Sequence, residues 1–296
     1  MRPRLKWLSV AVMAIALIGV DVSARQTKPA QPPKSVRLYV FDCGVINVNR
    51  AGTERYKVTP EEVGETRFSV PCFLVAHPKG TLMWDLGILP DETVEARARG
   101  EQGNPTATSA AVTTVPRTLA SQLAEIGYRP TDITYFAFSH AHTDHNANAN
   151  LFAKSTWLAR PAERAFMWEE GNTRVNRTFF ENIKSSKSIS LDKDEYDVFG
   201  DASVILKAAP GHSPGHQVMV LNLPKTGRIM IAGDLYHYPQ ERTLHRPPPD
   251  TEANVQQSAA SRVMIEEYLK KTKTEVWVEH DFVANAKLKK SPEYYE

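Results

Sequence analysis

The 296-residue sequence predicts a layered α/β domain, and three observations carry that expectation. Short runs rich in β-branched and aromatic residues recur along the chain, a few stretches of helical periodicity fall between them, and no linker interrupts the series. Pro and Gly are spread out rather than pooled, no segment is low in complexity, and no long repeat recurs, which excludes solenoids and propellers. With 42% hydrophobic residues the chain can fill one sizeable core, so a single domain is expected over residues 36–296.

The elements follow in chain order. After a lead over residues 25–35, Val36 to Phe41 and Phe68 to Ala76 read as strands, and His77-Pro78-Lys79-Gly80 reads as a turn into a strand from Thr81 to Trp84. Between Thr114 and Gly127, Pro116 sits near a helix start, Leu119, Leu123 and Ile126 recur at helical spacing, and Gly127 supplies the stop. Ile133 to Phe138 is a short apolar run of the kind buried on both faces of a sheet. Further strands are expected at Ser155 to Leu158, Ser203 to Lys207, Gln217 to Leu223, Arg228 to Ile231 and Glu275 to Val278. Helices are expected over 161–169 and 252–269, the second with Val255, Ala259 and Val263 on its apolar face and Asp250 as its cap.

The N-terminus reads as an address. Arg2, Arg4 and Lys6 precede the largely apolar run Trp7 to Val20, and Val22-Ser23-Ala24 offers small residues for cleavage, the order of a secretory signal over residues 1–24. The apolar run has 14 residues, short of the roughly 20 that a membrane-spanning helix needs, so cleavage rather than a stable membrane span is expected. The expected location is periplasmic or secreted. Loss of Arg2, Arg4, Lys6 and Asp21 would take the formal charge of +2 to about zero. The remaining basic residues, such as Lys270, Lys271 and Lys273, form no stripe, which argues against a nucleic-acid partner. Cys43 and Cys72 fit either a disulfide, permitted in an oxidising compartment, or two separate buried thiols.

The chemistry is concentrated in Ser139-His140-Ala141-His142-Thr143-Asp144-His145, just past a strand predicted to be buried. Three imidazoles and a carboxylate in so short a loop make a poor surface turn. They are the ligand types that suit borderline divalent ions such as Zn²⁺. This pattern resembles the His-x-His-x-Asp-His hallmark of the metallo-β-lactamase superfamily. Downstream segments match the same series: Pro210-Gly211-His212-Ser213-Pro214-Gly215-His216, Ile231-Ala232-Gly233-Asp234 and Val278-Glu279-His280-Asp281, with Trp84-Asp85-Leu86-Gly87 upstream. The resemblance implies a four-layer αββα sandwich and a pair of metal ions. His140, His142 and His212 would hold one ion, Asp144, His145 and His280 the other, and Asp234 would bridge them. The implied ions are divalent, Zn²⁺ first, with Co, Mn or Fe acceptable to an all-N/O site. Taken alone, His212 and His280 would read as structural histidines; their place in the ordered series makes them ligands. His216 is expected to pack or to support the ligands, Asp85 to orient a ligand imidazole, and His77 and His245 to be ordinary turn and loop residues.

Within the superfamily the sequence resembles the N-acyl homoserine lactonases, the quorum-quenching enzymes. The stretches that carry this are Pro210 to Gln217, Arg37-Leu38-Tyr39 leading to Val70-Pro71-Cys72, and Glu279-His280-Asp281 followed by Ser291-Pro292-Glu293-Tyr294. The implied reaction is the opening of an acyl lactone by a hydroxide shared between the ions, with Asp144 passing the proton. That family has a Tyr three residues after the bridging Asp, whereas this chain has His237 between Tyr236 and Tyr238. Either His237 or a flanking Tyr would then polarise the carbonyl. The acyl groove would come from Phe166, Trp168, Phe179 and Phe180, or from the loops around 47–66 and 91–115; core packing explains those aromatics equally well. Similar lactonases also imply a homodimer through the loop at 47–66. The rival activities are hydrolysis of β-lactams, against which Asp234 argues because metallo-β-lactamases generally lack it, and thioester hydrolysis of the glyoxalase type.

Overall fold

A computed structural model of the chain describes residues 30–101 and 113–296; the predicted signal, the start of the lead and part of the 91–115 loop lie outside the described residues. One sheet runs β4 (Thr113–Thr114), β1 (Arg37–Ile46), β2 (Phe68–His77), β3 (Gly80–Trp84), β5 (Tyr135–Ala137), β6 (Thr156–Ala159) and β7 (Ser188–Ser190). Its first four members pair antiparallel, and β3, β5, β6 and β7 run parallel. The other runs β12 (Glu275–Trp277), β11 (Gly227–Ile231), β10 (Gln217–Leu223), β9 (Val204–Ala208) and β8 (Glu195–Asp197), antiparallel except between β11 and β12.

Alternation along the strands builds the layers, because successive side chains point to opposite faces. Leu38 and Val40 of β1, Leu82 and Trp84 of β3, and Met219 and Leu221 of β10 share one core, which lies between the sheets. Tyr39, Phe41 and Met83, on the opposite face of the first sheet, pack instead with Leu119, Leu123 and Met167 from helices. Val218, Val220 and Met230, on the far face of the second sheet, pack with Ile265 and Leu269 of the helix Val255–Thr272. The result is the four-layer αββα sandwich. Trp84 is fully buried in its middle, and truncating such a residue to Ala costs about 3–5 kcal/mol. Among the described residues no helix is long and apolar enough to cross a membrane.

The observed elements differ from expectation where local chemistry overrides pattern. β1 continues past Phe41 through a register shift between Asp42 and Val45, where Gly44 has φ +145. The helix expected between Thr114 and Gly127 spans only Leu119–Glu125: Thr118 caps it, and Thr113 and Thr114 pair with β1 instead. The long C-terminal helix begins at Val255 with Asn254, not Asp250, as its cap, and Asp250 pairs with Lys57. Its buried face is also different. Val263 is 61% exposed, while Ser258, Ser261, Arg262, Ile265 and Leu269 are buried. Ser258 meets the backbone at Gly211, and Arg262 is satisfied by the Glu241 carboxylate at 2.7 Å and the Leu235 carbonyl at 2.8 Å. Cys43 and Cys72 form a disulfide that links β1 to β2.

Candidate metal centre

Each candidate ligand sits in a loop just beyond a strand, so the rigid sheets aim side chains that are far apart in sequence at one place. The loop after β5 presents His140 and His142, and the short helix Thr143–Asn146 adds Asp144 and His145. The β9–β10 connection presents His212, the turn after β11 presents Asp234, and the segment after β12 presents His280. Backbone detail enforces this. Gly211 has φ +139, and a Cβ there would stand 2.2 Å from the Ser258 nitrogen, so only glycine lets the His212 loop lie against the C-terminal helix. Gly233 has φ +51, and its Cβ would meet Ser139 at 2.6 Å.

The donors fall into two groups that share one carboxylate. In the first, His140 Nε2, His142 Nδ1 and His212 Nε2 lie 2.8, 2.9 and 3.1 Å from one another. Asp234 Oδ2 stands 3.2 Å from His212 Nε2 and 3.6 Å from His140 Nε2. The other Asp234 oxygen, Oδ1, serves the second group, 3.1 Å from His145 Nε2 and 3.0 Å from His280 Nε2. Asp144 Oδ2 completes that group at 3.8 and 3.6 Å from the same two nitrogens.

The outer ring nitrogens fix the tautomers. His145 Nδ1 donates to Asp85 at 2.9 Å, His212 Nδ1 to Glu252 at 3.2 Å, His280 Nδ1 to the Ser69 carbonyl at 2.8 Å, and His140 Nδ1 to Ser139 Oγ at 3.0 Å. Their Nε2 lone pairs therefore all face inward, as carboxylate- and carbonyl-backed metal ligands do. His216 uses Nδ1 on the Ala209 carbonyl and accepts the Asp234 N–H at Nε2, 3.0 Å each, so it supports Asp234 from behind. Burial, the largest cause, brings the His142 and His216 imidazoles down to about 3. Burial alone would push the Asp234 carboxyl up, but the facing imidazoles, His280 foremost, hold it well below the usual carboxylate range.

This arrangement fits cations. Lone pairs converging within about 3 Å repel unless a positive charge lies among them, and ligand atoms on a tetrahedral ion with bonds of about 2.0–2.1 Å stand about 3.3 Å apart. His145 Nε2 and Asp234 Oδ1 are moreover buried without a hydrogen-bond partner, a costly state that a bound cation relieves.

The profile of one protein family, the metallo-beta-lactamase superfamily, matches residues 66–272, well over half of the chain. The chain belongs to the metallo-beta-lactamase superfamily. Among similar proteins, the N-acyl homoserine lactonase AttM of Azorhizobium caulinodans is 27% identical over 266 residues, covering 88% of this chain and 99% of the relative. The N-acyl homoserine lactonase of Bacillus cereus is 24% identical, covering 87% and 98%. An N-acyl homoserine lactone hydrolase solved with the product N-hexanoyl-L-homoserine at its catalytic metal center superposes with a TM-score of 0.70 at 22% identity, covering 88% of this chain and 99% of that one. AidC, a dizinc quorum-quenching lactonase, gives 0.58 at 17% identity, covering 86% and 89%. These structures share the metallo-beta-lactamase fold of this chain, and its His and Asp clusters are those of a divalent-metal site.

A cavity of about 690 Å³ opens over the metallo-beta-lactamase cluster. His142, Asp144, His212, Asp234, His237 and His280 form its floor, and Ile46, Tyr56, Phe68 and Val175 supply apolar wall. Arg55 and Arg174 also line it. The cavity draws Arg55 and Tyr56 from the 47–66 segment, which folds as the 3-10 turn Arg50–Tyr56 and the short helix Pro60–Val63. Phe179 and Phe180 instead lie in the helix-side core, with Phe166 and Trp168 packed against it. His237 joins the floor with Nε2 3.2 Å from Asp234 Oδ2. Burial opposes its charge most strongly, but the Asp234 and Glu241 carboxylates together outweigh burial and raise His237 to about 10.

The two flanking tyrosines are placed elsewhere, so of the two alternatives, His237 or a flanking Tyr, only His237 lines the cavity. Tyr236 donates to Glu266 at 3.1 Å, Tyr238 donates to the Thr66 carbonyl at 2.7 Å, and neither lines the cavity. Residues 236 and 238 are both extended, so they turn away from the side that His237 faces. Sequence reasoning missed Glu252 behind His212, and Glu241, which accepts the backbone N–H groups of His237 and Tyr238 at 2.8 and 2.9 Å. Neither belongs to a spacing pattern that marks it out.

Proposed function

We propose that this protein is an exported N-acyl homoserine lactonase that works with two divalent cations, Zn²⁺ first among those its donors suit. The observation that carries the reading is Asp234, with one oxygen on each donor group and the rest of the seven-residue set complete around it. The lactonases AttM and that of B. cereus, which this chain matches over nearly their whole lengths, support lactones as the substrate class. His140, His142 and His212 would hold one cation, Asp144, His145 and His280 the other, and Asp234 both. Cations so held supply an acidified water, its pKa lowered towards about 7, and a Lewis-acid contact for a carbonyl oxygen.

The residues of the chain do the remaining work. Ile46, Tyr56, Phe68 and Val175 receive the acyl chain and exclude water from one side of the lactone. His237 presents Nε2 to the carbonyl oxygen, with its backbone fixed by Glu241 and its ring against Tyr56 at 4.3 Å between centroids. Asp144, with 17% of its side chain exposed where the other carboxylate, Asp234, has 5%, carries a proton to the ring oxygen as the ester C–O bond breaks. Water is thereby consumed, and the product is an N-acyl homoserine with a free carboxylate and a hydroxyl. Export is supported by the charged, apolar and small-residue order of residues 1–24 and by the Cys43–Cys72 disulfide, a bond suited to an oxidising compartment.

The test is a panel of short- and long-chain acyl homoserine lactones, simple lactones, a β-lactam and a thioester, assayed with purified metal-loaded protein. Acyl homoserine lactones should be opened with the highest kcat/KM. A preference for the β-lactam or the thioester would overturn the substrate assignment.

A further inference from the structure

The carboxylate of Glu163 is buried, lies outside both donor groups, and connects the two loops that supply the first of them. It sits in the first turn of the helix Pro161–Trp168 and is 3% exposed. Oε1 accepts the N–H of Ala141 at 2.7 Å, and Ala141 separates His140 from His142. Oε2 accepts the hydroxyl of Ser213 at 2.6 Å and the N–H of Gly215 at 2.7 Å, in the loop that carries His212. The approach is close: a Cβ on Gly215 would stand 2.4 Å from the Glu163 nitrogen, so glycine at 215 is what lets that loop reach the helix. An isolated buried carboxylate is expensive, and three donors from two ligand loops are what make this one tolerable.

We propose that Glu163 is a positioning residue that clamps the loop after β5 to the β9–β10 loop and so sets the separation of His140, His142 and His212. It touches neither a donor nitrogen nor the cavity, so it acts through the backbone. No contact of this kind ties it to Asp144, His145 or His280, and its effect is therefore confined to one half of the centre. The proposal rests on the reading of the cluster as a two-cation site.

The experiment compares wild type with Glu163→Gln and Ser213→Ala. Each protein is stripped and titrated with Zn²⁺ against a chromophoric chelator, and crystals grown at limiting Zn²⁺ give the anomalous peak heights beside His212 and beside His280. Gln replaces one acceptor with an NH₂ that faces a backbone N–H. The affinity of the His140, His142 and His212 half should fall about 10–100-fold, the range typical of lost support behind metal ligands, and the peak beside His280 should stay at wild-type height. Ser213→Ala removes one donor of three, leaves the carboxylate in place, and should give a smaller loss at the same half; it decides the matter should the Gln variant fail to fold. Equal losses at both halves, or wild-type affinity at both, would overturn the proposal. A wild-type protein that takes up fewer than two cations would instead overturn the two-cation reading beneath it.

Discussion

Replacing Asp85 with Asn should disable the half of the centre that holds Asp144, His145 and His280. Asp85 has no exposed surface and accepts three hydrogen bonds, from Ser139 N–H at 2.6 Å, from Ser139 Oγ at 3.0 Å and from His145 Nδ1 at 2.9 Å. Its backbone is left-handed, with φ +50, a conformation that Asn tolerates as well as Asp, so the substitution changes chemistry rather than shape. The Ser139 backbone N–H cannot turn away and takes the single amide oxygen, which leaves the NH₂ facing His145. His145 Nδ1 must then accept, Nε2 carries the proton, and the lone pair pointing at the centre is lost. A hydrogen bond to a charged group contributes about 1.5–3 kcal/mol, equivalent to about a 10–100-fold loss of cation affinity at that half. Competition against a chromophoric chelator reads both affinities separately, and the predicted result is one affinity weakened by that factor. Two affinities within about twofold of wild type would refute the role of Asp85 in setting the His145 tautomer.

Other substitutions probe neighbouring parts of the account. His237→Ala should lower kcat about 100–1,000-fold, the effect of removing one well-placed donor to a developing oxyanion, whereas His237→Tyr should recover much of the loss; an unimpaired Ala variant would remove His237 from the reaction. Tyr236→Phe and Tyr238→Phe should keep wild-type kcat, because both hydroxyls are spent on Glu266 and the Thr66 carbonyl; a large drop in either would place a tyrosine back at the substrate. Replacing Cys43 and Cys72 by Ala opens a loop with a separation of 29 residues, which the chain-entropy model values at about 3–4 kcal/mol. A melting temperature about 10 °C lower is expected, and an unchanged midpoint would deny the bond any stabilising role.

The convergence of the candidate ligands was legible in the sequence because they are chemically rare side chains clustered just past strand ends, where a rigid sheet leaves little freedom in where they point. The layering was legible for a related reason, since β1, β3 and β10 alternate cleanly between two buried faces. What supports the ligands was less so. Asp85 stood out beside a Gly turn, but Glu163, Glu241 and Glu252 are glutamates on or next to helices, and in sequence each looks like a solvated surface residue. Their burial depends on donors brought from elsewhere in the chain: the Ala141 and Gly215 N–H groups for Glu163, and Arg262 for Glu241. The face of the C-terminal helix was misjudged for the same reason. Periodicity weighs Val255 and Val263 as core, yet packing selected Ser258 and Arg262 because one is small enough for the Gly211 approach and the other finds a carboxylate. The tyrosines beside His237 show the converse limit: proximity in sequence does not say which side of an extended segment faces the substrate.

Anomalous diffraction from crystals of the active protein, measured above and below the absorption edge of its metal, counts and locates the bound ions. Two peaks about 3.5–4 Å apart, one on each side of the Asp234 carboxylate, are predicted. A single peak, or none, in protein that opens lactones at its full rate would contradict the account.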